Sequence, residues 1–174
     1  SYAAETSSAL RLGVPPQPRS GSCSILLVTH NGLAYTKLCL TTLLAHWRDG
    51  DELIVVDNAS TDGTPDFLRD LAQKNPFVRI IFNDKNRGFA GANNQALAAA
   101  AGEFLVLLNN DTRLMSDALA SLLAESATWS DRAILGLPHL SPDGRLVDRG
   151  SRLDLFANPV PITTADGTPP ATLL

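Results

Sequence analysis

Two aspartates of this sequence stand at the ends of short apolar runs, where a carboxylate can do chemistry. Asp57 directly follows the run Leu53–Val56, and Asp111 follows the run Phe104–Leu108 after two asparagines. Hard divalent cations such as Mg²⁺ prefer one or two protein carboxylates together with substrate phosphates and water. Carboxylates at the ends of two strands of one sheet can converge on one cleft, where a cation would neutralise a departing diphosphate. The pattern therefore favours metal-assisted chemistry on a phosphorylated ligand.

Apolar runs alternate with segments of helical periodicity, and these elements would position the two carboxylates. The runs predict strands at 24–29, 52–57, 78–82 and 103–108, with helices between them. A further helix is predicted at 116–128, a strand at 133–137 and a turn at 142–144. Strands that alternate with helices indicate an α/β, Rossmann-like fold with a mostly parallel sheet and helices on both faces. Ligands of such sheets bind beyond the carboxyl ends of the strands.

Capping residues predict where two of the helices begin and end. Thr64, followed by Pro65 and Asp66, is typical of an N-cap and a first helical turn. This helix is expected to end just before Pro76, which disfavours helical geometry in the preceding residue. Gly102 is expected to end the alanine-rich helix that starts near residue 88.

Composition and length place the chain among ordinary globular proteins. Its 174 residues suit one domain, with 44% hydrophobic residues, 18% charged residues and a formal net charge of −4. Nucleic acid is not an expected partner, because a nucleic-acid binder usually carries a basic patch. No apolar run is long enough to span a bilayer, and the first residues lack a signal-peptide pattern. Cys23 and Cys39 have no zinc or redox spacing, so we expect buried thiols in a cytoplasmic protein.

Three parts of the chain are expected from the distribution of residue types. Residues 1–22 are rich in Ser, Ala, Pro and Gly and predict a flexible leader or linker. Residues 23–150 carry the alternation of strands and helices and predict the ligand-binding domain. Residues 151–174, in which proline recurs, predict an irregular tail.

Several common nucleotide or hydrolase patterns are absent. No strand is followed by Gly-x-Gly-x-x-Gly, and there is neither a P-loop nor a Gly-x-Ser-x-Gly elbow. A response regulator would have an acidic pair after the first strand, where this sequence has His30 and Asn31. These absences exclude a Rossmann dinucleotide-binding protein, a P-loop protein and the commonest type of α/β-hydrolase.

Four ordered segments between residue 24 and about residue 150 carry a resemblance to a known family. They are Ser24–Gly32, Ile54–Thr64, Asn83–Asn94 and Leu107–Asp111. In this order they resemble the first strand, the second-strand signature, the segment before the third helix and the metal motif of the family 2 glycosyltransferases. The resemblance implies the GT-A fold and is closest to the rhamnosyltransferase-like branch.

The resemblance also implies roles for particular residues. Asp57 would accept a hydrogen bond from the nucleobase, and Asp111 would ligate a Mg²⁺ or Mn²⁺ ion that bridges the diphosphate. Arg87 would offset phosphate charge. The remaining residues implied to lie against the nucleotide are Thr29, Asn31, Asn94 and Asn110.

The sequence departs from the family pattern at two points. Asn109 stands where many members carry the first aspartate of the metal motif, which removes one charge from the site. The later acidic motif, which holds the base that deprotonates the acceptor, has no counterpart here. We therefore expect a fragment that lacks the C-terminal acceptor half, with no catalytic residue of its own and the base encoded downstream.

The resemblance predicts an inverting, metal-dependent transfer of a sugar from a nucleoside-diphosphate sugar to an acceptor hydroxyl. Two alternatives stay open: a non-catalytic nucleotide-sugar-binding module, and a sugar-nucleotide nucleotidyltransferase. The expected acceptor is a saccharide, a lipid-linked molecule or a protein, in bacterial cell-surface polysaccharide biosynthesis. The expected location is the cytoplasm, including peripheral association of the full-length protein with the inner face of the membrane.

Local explanations compete with the functional ones at single residues. An aspartate after a buried strand, such as Asp57, is most often a turn or helix-cap residue when taken alone. His30 fits equally well as a loop histidine that is hydrogen-bonded to the backbone. The order of the four matched segments is what favours a binding site over turn chemistry.

Overall fold

The computed structural model describes residues 19–115, 118–126, 139–141, 143–148, 151–153 and 159–161. The chain divides into two compact units, Ser1–Leu114 and Met115–Leu174. In the part of the chain that is described, no helix is both long and apolar enough to cross a bilayer.

The first unit is built from four parallel strands and three helices. In chain order they are β1 (Arg19–Thr29), α1 (Leu33–Leu44), β2 (Glu52–Asp57), α2 (Thr64–Lys74), β3 (Val78–Phe82), α3 (Gly88–Ala99) and β4 (Gly102–Asn109). The strands lie in the order β3-β2-β1-β4, and each neighbouring pair is parallel. The α/β fold with a parallel sheet, predicted from the alternation of apolar runs and helices, is confirmed.

Both faces of the two central strands of the sheet, β1 and β2, are covered. On one face, Leu26, Ile54 and Val56 pack against Ala92 and Ala96 of α3. The residues that alternate with them point to the opposite face and are fully buried as well, so helices cover that face too: Ile25, Leu27, Leu53 and Val55. Burying each such side chain contributes about 1.5–3 kcal/mol, against about 0.5–1.5 kcal/mol net for one hydrogen bond. Packing of the sheet core therefore fixes the relative positions of the strand ends.

Gly102 has a different role from the predicted one. The third helix ends at Ala99, and Gly102 is the first residue of β4. A Cβ atom at this position would lie 2.5 Å from the backbone nitrogen of Ser24. The glycine is therefore required by the close approach of β4 to β1, and the prediction that it ends the helix is wrong.

The first strand begins earlier than the apolar run that predicts it. It starts at Arg19, although the sequence predicts residue 24. The backbone nitrogen of Gly21 donates to Glu103 Oε2 at 2.6 Å, and Arg48 Nη2 donates to the Gly21 carbonyl at 3.0 Å. Arg19 also pairs with Gly102 of β4, so residues 19–22, which were expected in a leader, belong to the first strand. Residues 1–18 of that expected leader lie outside the described residues.

In the described residues of the second unit there are one helix and two short antiparallel ribbons. They are α4 (Ala118–Ser126), β5 (His139–Leu140) with β6 (Leu146–Asp148), and β7 (Ser151–Leu153) with β8 (Pro159–Pro161). Gly144 has a φ of 82° and its nitrogen donates to the Ser141 carbonyl at 2.8 Å, which forms the turn predicted at 142–144. The strand predicted at 133–137 lies outside the described residues.

Candidate functional site

The loops that follow the four parallel strands lie at one edge of the sheet, because parallel strands all end on the same side. We call residues 30–32, 58–63, 83–87 and 110–112 the first, second, third and fourth loops. A cavity of about 300 Å³ lies at this edge. It is lined by Val28, His30, Asn58, Asn86, Gly88, Phe89 and Asn110.

Hydrogen bonds join the first loop to the second. Asn31 has a left-handed backbone with φ 60°, and its nitrogen donates to Ser60 Oγ at 2.7 Å. The Asn31 side-chain oxygen accepts a bond from the backbone nitrogen of Thr61 at 2.8 Å. His30 Nδ1 lies 2.9 Å from the Asn58 carbonyl oxygen, so this histidine is bonded to the backbone and also lines the cavity. The Asn31 oxygen is already engaged in the fold, so its predicted nucleotide contact would have to come from other atoms.

Asp62 caps two helices at once. Its Oδ2 atom accepts a bond from Leu33, the first residue of α1, at 3.1 Å. Its Oδ1 atom accepts a bond from Thr64, the first residue of α2, at 2.9 Å. The polar side chain of Thr64, and then the hydrogen bond from its backbone nitrogen, stabilise the charged carboxylate and lower the pKa of Asp62. Thr64 was predicted as the N-cap, but it is the first helical residue and Asp62 performs the capping.

Asp57 lies behind the cavity wall. Val28 and Val56 both pack against the α3 core cluster, and Val28 also lines the cavity, so the cavity lies on the α3 side of the sheet. Side chains alternate along a strand, which directs Asp57 to the opposite face. Its side chain is 2% exposed, and Oδ2 accepts a bond from the Ser60 nitrogen at 3.3 Å. Its Oδ1 atom is buried without a hydrogen-bond partner in the described structure.

Asn110 joins the end of β4 to the end of β1 and to the first helix. Its Nδ2 atom donates to Thr29 Oγ1 at 3.3 Å and to Thr36 Oγ1 at 3.1 Å. Asn110 also lines the cavity, whereas Thr29 is 1% exposed and its carbonyl accepts a bond from the Asn58 nitrogen at 2.8 Å. Of these two residues that the sequence places at the nucleotide, the structure therefore brings Asn110 to the cavity surface and Thr29 beneath it.

Asp111 is exposed at the end of β4, beside Asn110. No group of three or more metal-binding side chains occurs in the described part of the chain. One carboxylate and neighbouring amide oxygens suit a hard cation that takes most of its ligands from phosphates and water. The residues present therefore fit Mg²⁺ or Mn²⁺ bound together with a diphosphate, and they do not form a protein cage.

A buried thiol lies directly beneath the fourth loop. Cys39 Sγ is 3.5 Å from the Asn109 carbonyl oxygen. Burial, and then the negative charge of Asp111, raise the pKa of Cys39 to about 12. The thiol therefore stays protonated and neutral, and a charged thiolate is not available as a soft metal ligand there.

Arg87 and Asn94 lie at and beyond the start of α3. Arg87 is exposed and its Nη2 atom is 3.8 Å from Asp84 Oδ1, an exposed ion pair that contributes little. Its guanidinium is therefore free to turn toward another anion. Asn94 is exposed on α3 and is not among the residues that line the cavity.

A parallel α/β sheet with amide- and carboxylate-bearing loops at its carboxyl edge is the arrangement in which open α/β domains bind ligands. The family described as glycosyl transferase family 2 matches residues 24–165. The chain belongs to this family. The family predicted from the four ordered segments is therefore confirmed.

Two known proteins are similar to more than half of this chain. The succinoglycan biosynthesis protein ExoO of Rhizobium meliloti is 34% identical over 109 residues, 62% of this chain and 31% of ExoO. The chondroitin synthase of Pasteurella multocida is 30% identical over 129 residues, 73% of this chain and 13% of the synthase.

A solved structure shows the same fold. The mannosyltransferase PcManGT of Pyrobaculum calidifontis, in complex with GDP-Man and Mn²⁺, superposes with a TM-score of 0.56 at 29% identity. The superposition covers 66% of this chain and 33% of PcManGT. The chain thus spans about a third or less of the length of each of these three proteins.

Proposed function

We propose that this chain supplies the nucleotide-sugar-binding part of a glycosyltransferase that moves a sugar from a nucleoside diphosphate to an acceptor hydroxyl. The observation that carries this proposal is the cavity of about 300 Å³ at the carboxyl ends of the strands. Its lining comes from the loops after β1, β2, β3 and β4 and from the start of α3. The volume is at the lower end of the range for small-molecule sites, which suits a nucleoside.

The exposed ring of Phe89 and the imidazole of His30 give the cavity two flat surfaces. Phe89 is 63% exposed, so its face is available to a base. Aromatic faces prefer offset or edge-to-face contacts with other rings. We therefore place the nucleobase between these side chains, with the diphosphate toward Arg87 and the fourth loop.

The start of α3 favours a negative group. Gly88 lines the cavity and is the first residue of the helix, whose first turn carries no acidic side chain. The Arg87 and Gly88 nitrogens are bonded to the Asn58 and Asn86 side chains, so the attraction for an anion at this end comes from the helix dipole. Together with the guanidinium of Arg87, this supports a diphosphate position at the start of α3. The predicted contact of Asn94, further along α3, with the nucleotide is kept as a proposal.

The predicted base contact of Asp57 requires a local movement. The carboxylate is 2% exposed, so the second loop would have to shift before a base could reach it. Its buried Oδ1 atom has unused hydrogen-bonding capacity, which supports a ligand role. The prediction therefore stands as a proposal with a mutational test.

A cation is proposed at Asp111. PcManGT is in complex with GDP-Man and Mn²⁺, and Asp111 of this chain offers an exposed carboxylate at the carboxyl edge of the sheet. Bound there, Mg²⁺ or Mn²⁺ would neutralise the diphosphate charge that develops as the sugar leaves. Asp111 would hold the ion directly, and Asn109 and Asn110 would contribute polar surroundings without further charge.

The chemistry is proposed as a single in-line displacement. The acceptor oxygen attacks the anomeric carbon from the face opposite the diphosphate, and the bond from that carbon to the phosphate oxygen breaks. The electron pair of the broken bond stays on the diphosphate, a general base takes the hydroxyl proton, and the anomeric configuration inverts. The names of ExoO and the chondroitin synthase support polysaccharide synthesis as the setting.

The full-length protein tests this proposal. It is incubated with UDP-, dTDP- and GDP-linked sugars, Mn²⁺ and saccharide, lipid-linked or protein acceptors, and release of the nucleoside diphosphate is measured. We expect release with one donor class, dependent on acceptor, and a product of inverted anomeric configuration by NMR. Binding of a donor without transfer to any acceptor would instead identify a binding module, and a retained configuration would contradict the single displacement.

A further inference from the structure

The side chain of Asn58 is almost completely buried, at 2% exposure, and it is hydrogen-bonded on every side. Its Nδ2 atom donates to Asn86 Oδ1 at 2.8 Å and to the Gly88 carbonyl at 3.4 Å. Its Oδ1 atom accepts from the Arg87 nitrogen at 2.9 Å and from Asn83 Nδ2 at 3.1 Å. An amide has two donor hydrogens and two acceptor positions. All four are used by the third loop and the start of α3.

The backbone of Asn58 is held from the other direction. Its nitrogen donates to the Thr29 carbonyl at 2.8 Å, and its carbonyl oxygen lies 2.9 Å from His30 Nδ1. One residue therefore joins the ends of β1 and β2 to the loop that follows β3.

The third loop is connected onward to the helix by a second amide pair. Asn83 Nδ2 donates to Gln95 Oε1 at 2.8 Å, and Gln95 Nε2 donates to Asn83 Oδ1 at 2.9 Å. Asn86 Oδ1 also accepts from the Gly88 nitrogen at 2.8 Å. Removing the Asn58 amide would therefore release a connected set of bonds, beyond the four that it makes itself.

The orientation of the Asn58 amide follows from its partners. The Arg87 nitrogen is a backbone N–H, which can only donate, and the Gly88 carbonyl can only accept. A flipped amide would place N–H against N–H and oxygen against oxygen. The two backbone partners alone therefore determine the positions of Oδ1 and Nδ2, whatever the orientation of the Asn83 and Asn86 amides.

We propose that Asn58 is a positioning residue that shapes the cavity for the nucleoside without using its own amide to bind the base. The amide has no remaining donor or acceptor for a ligand, although the residue lines the cavity. Three further lining residues are held by it directly: His30, Asn86 and Gly88. The proposal rests on the proposed function for its ligand, a nucleoside diphosphate.

An aspartate is the informative replacement because it has the same shape and lacks both donor hydrogens. In Asn58→Asp the carboxylate would face Asn86 Oδ1 and the Gly88 carbonyl, so two attractive contacts become repulsive. The matched control is Asn75→Asp, at the opposite end of the sheet. Asn75 Nδ2 donates to the Leu71 carbonyl at 2.8 Å at the end of α2, so it loses one comparable bond far from the cavity.

The experiment measures the Kd of UDP, dTDP and GDP with Mn²⁺ by calorimetry, at a temperature where circular dichroism shows each variant folded. We expect Asn58→Asp to raise the Kd of the nucleotide that binds by at least about tenfold, and Asn75→Asp to leave it unchanged. Asn86→Ala, which removes an exposed partner, tests the same bond if Asn58→Asp does not fold. In Asn58→Ala/Asn86→Ala the free-energy loss of binding should be smaller than the sum of the losses in the two single variants, because the two residues share one hydrogen bond.

A second readout separates this proposal from the proposed function. Amide hydrogen exchange of residues 83–88 is measured without ligand in the wild type, Asn58→Asp and Asn75→Asp. We expect faster exchange there in Asn58→Asp alone. If the wild type binds no nucleotide, the proposed function is wrong. The exchange rates of residues 83–88 still show whether the Asn58 amide holds the third loop in position. Unchanged exchange at 83–88, or an unchanged Kd in a folded Asn58→Asp, would overturn the proposal.

Discussion

The Asp62 carboxylate accepts a hydrogen bond from the backbone nitrogen of Leu33 at 3.1 Å, although 29 positions separate the two residues. The first residue of α1 is thus capped from the turn that precedes α2. Gly32 and Gly63 occupy the N-cap positions of these helices and have no side chain to do so. A short polar turn therefore fixes the starts of two helices and the distance between the first and second loops.

Replacing Asp62 should destabilise the protein more than replacing a neighbouring exposed acid. Asp62→Asn removes the charge, and with one side-chain oxygen left it can accept fully from only one of the two helix starts. Asp66→Asn, in the first turn of α2, is the control because it loses only an exposed ion pair with Arg69. We expect the Tm of Asp62→Asn to fall by several degrees and that of Asp66→Asn to change little. Equal shifts in calorimetric scans would show that the double cap is unimportant.

The contribution of Asp62 should depend on pH in a defined direction. Hydrogen bonding lowers the pKa of Asp62 from its ordinary value of 3.8, so its stabilisation is complete above that value. The stabilisation is lost as the pH falls through the lower, folded-state pKa. The difference in Tm between the wild type and Asp62→Asn should therefore be constant near neutral pH and shrink below the ordinary pKa of aspartate. A difference that grows on acidification would contradict the assignment.

The sheet could be predicted from the sequence because its strands are apolar runs, and the two central strands, β1 and β2, are buried on both faces. Runs such as Leu53–Val56 contain only apolar residues and therefore predict a buried strand. The predicted strand ends at residues 29, 57 and 82 are those observed. The start of β1 could not be predicted, because it depends on Glu103, which lies 82 positions away from Gly21. Local composition carries no information about such a partner.

The candidate site was predicted in outline, while the roles within it needed the structure. The sequence placed Asn31, Arg87 and Asn110 at strand ends, and the loops that carry them do lie at one edge. It did not separate the residues that line the cavity from those that hold the loops. Asn58 shows why: its four bonds depend on the conformation of the third loop, which no spacing rule specifies.

Among the described glycines without a left-handed backbone, Gly102 should tolerate substitution least. An added Cβ would lie 2.5 Å from Ser24 N and 2.6 Å from Cys23 C, and both are backbone atoms that cannot rotate away. We expect Gly102→Ala to lower the free energy of unfolding by about 1–3 kcal/mol, the usual range for overpacking. Gly91→Ala is the control, since alanine is favoured in a helix interior by about 0.5–1 kcal/mol. Urea denaturation that ranks Gly102→Ala as the more stable variant would contradict this packing.

Asp57→Asn tests whether this carboxylate reaches the base. If it does, the Kd for the nucleoside diphosphate should rise by a similar factor with Mn²⁺ and with EDTA, because the base is remote from the cation. An unchanged Kd in a folded Asp57→Asn would contradict the proposed contact between this carboxylate and the base.

The most direct test of the central claim is calorimetric titration of this chain with UDP, dTDP and GDP, in Mn²⁺ and in EDTA. We expect at least one nucleotide to bind, with a Kd lower in Mn²⁺ by at least about tenfold, because the cation bridges Asp111 and the diphosphate. In Asp111→Asn the Kd in Mn²⁺ should rise to that in EDTA, with little change in Tm, since Asp111 is exposed. Absence of heat with all three nucleotides in a folded sample would contradict a nucleotide site at this edge of the sheet. An undiminished effect of Mn²⁺ in Asp111→Asn would contradict the assignment of the cation to this residue.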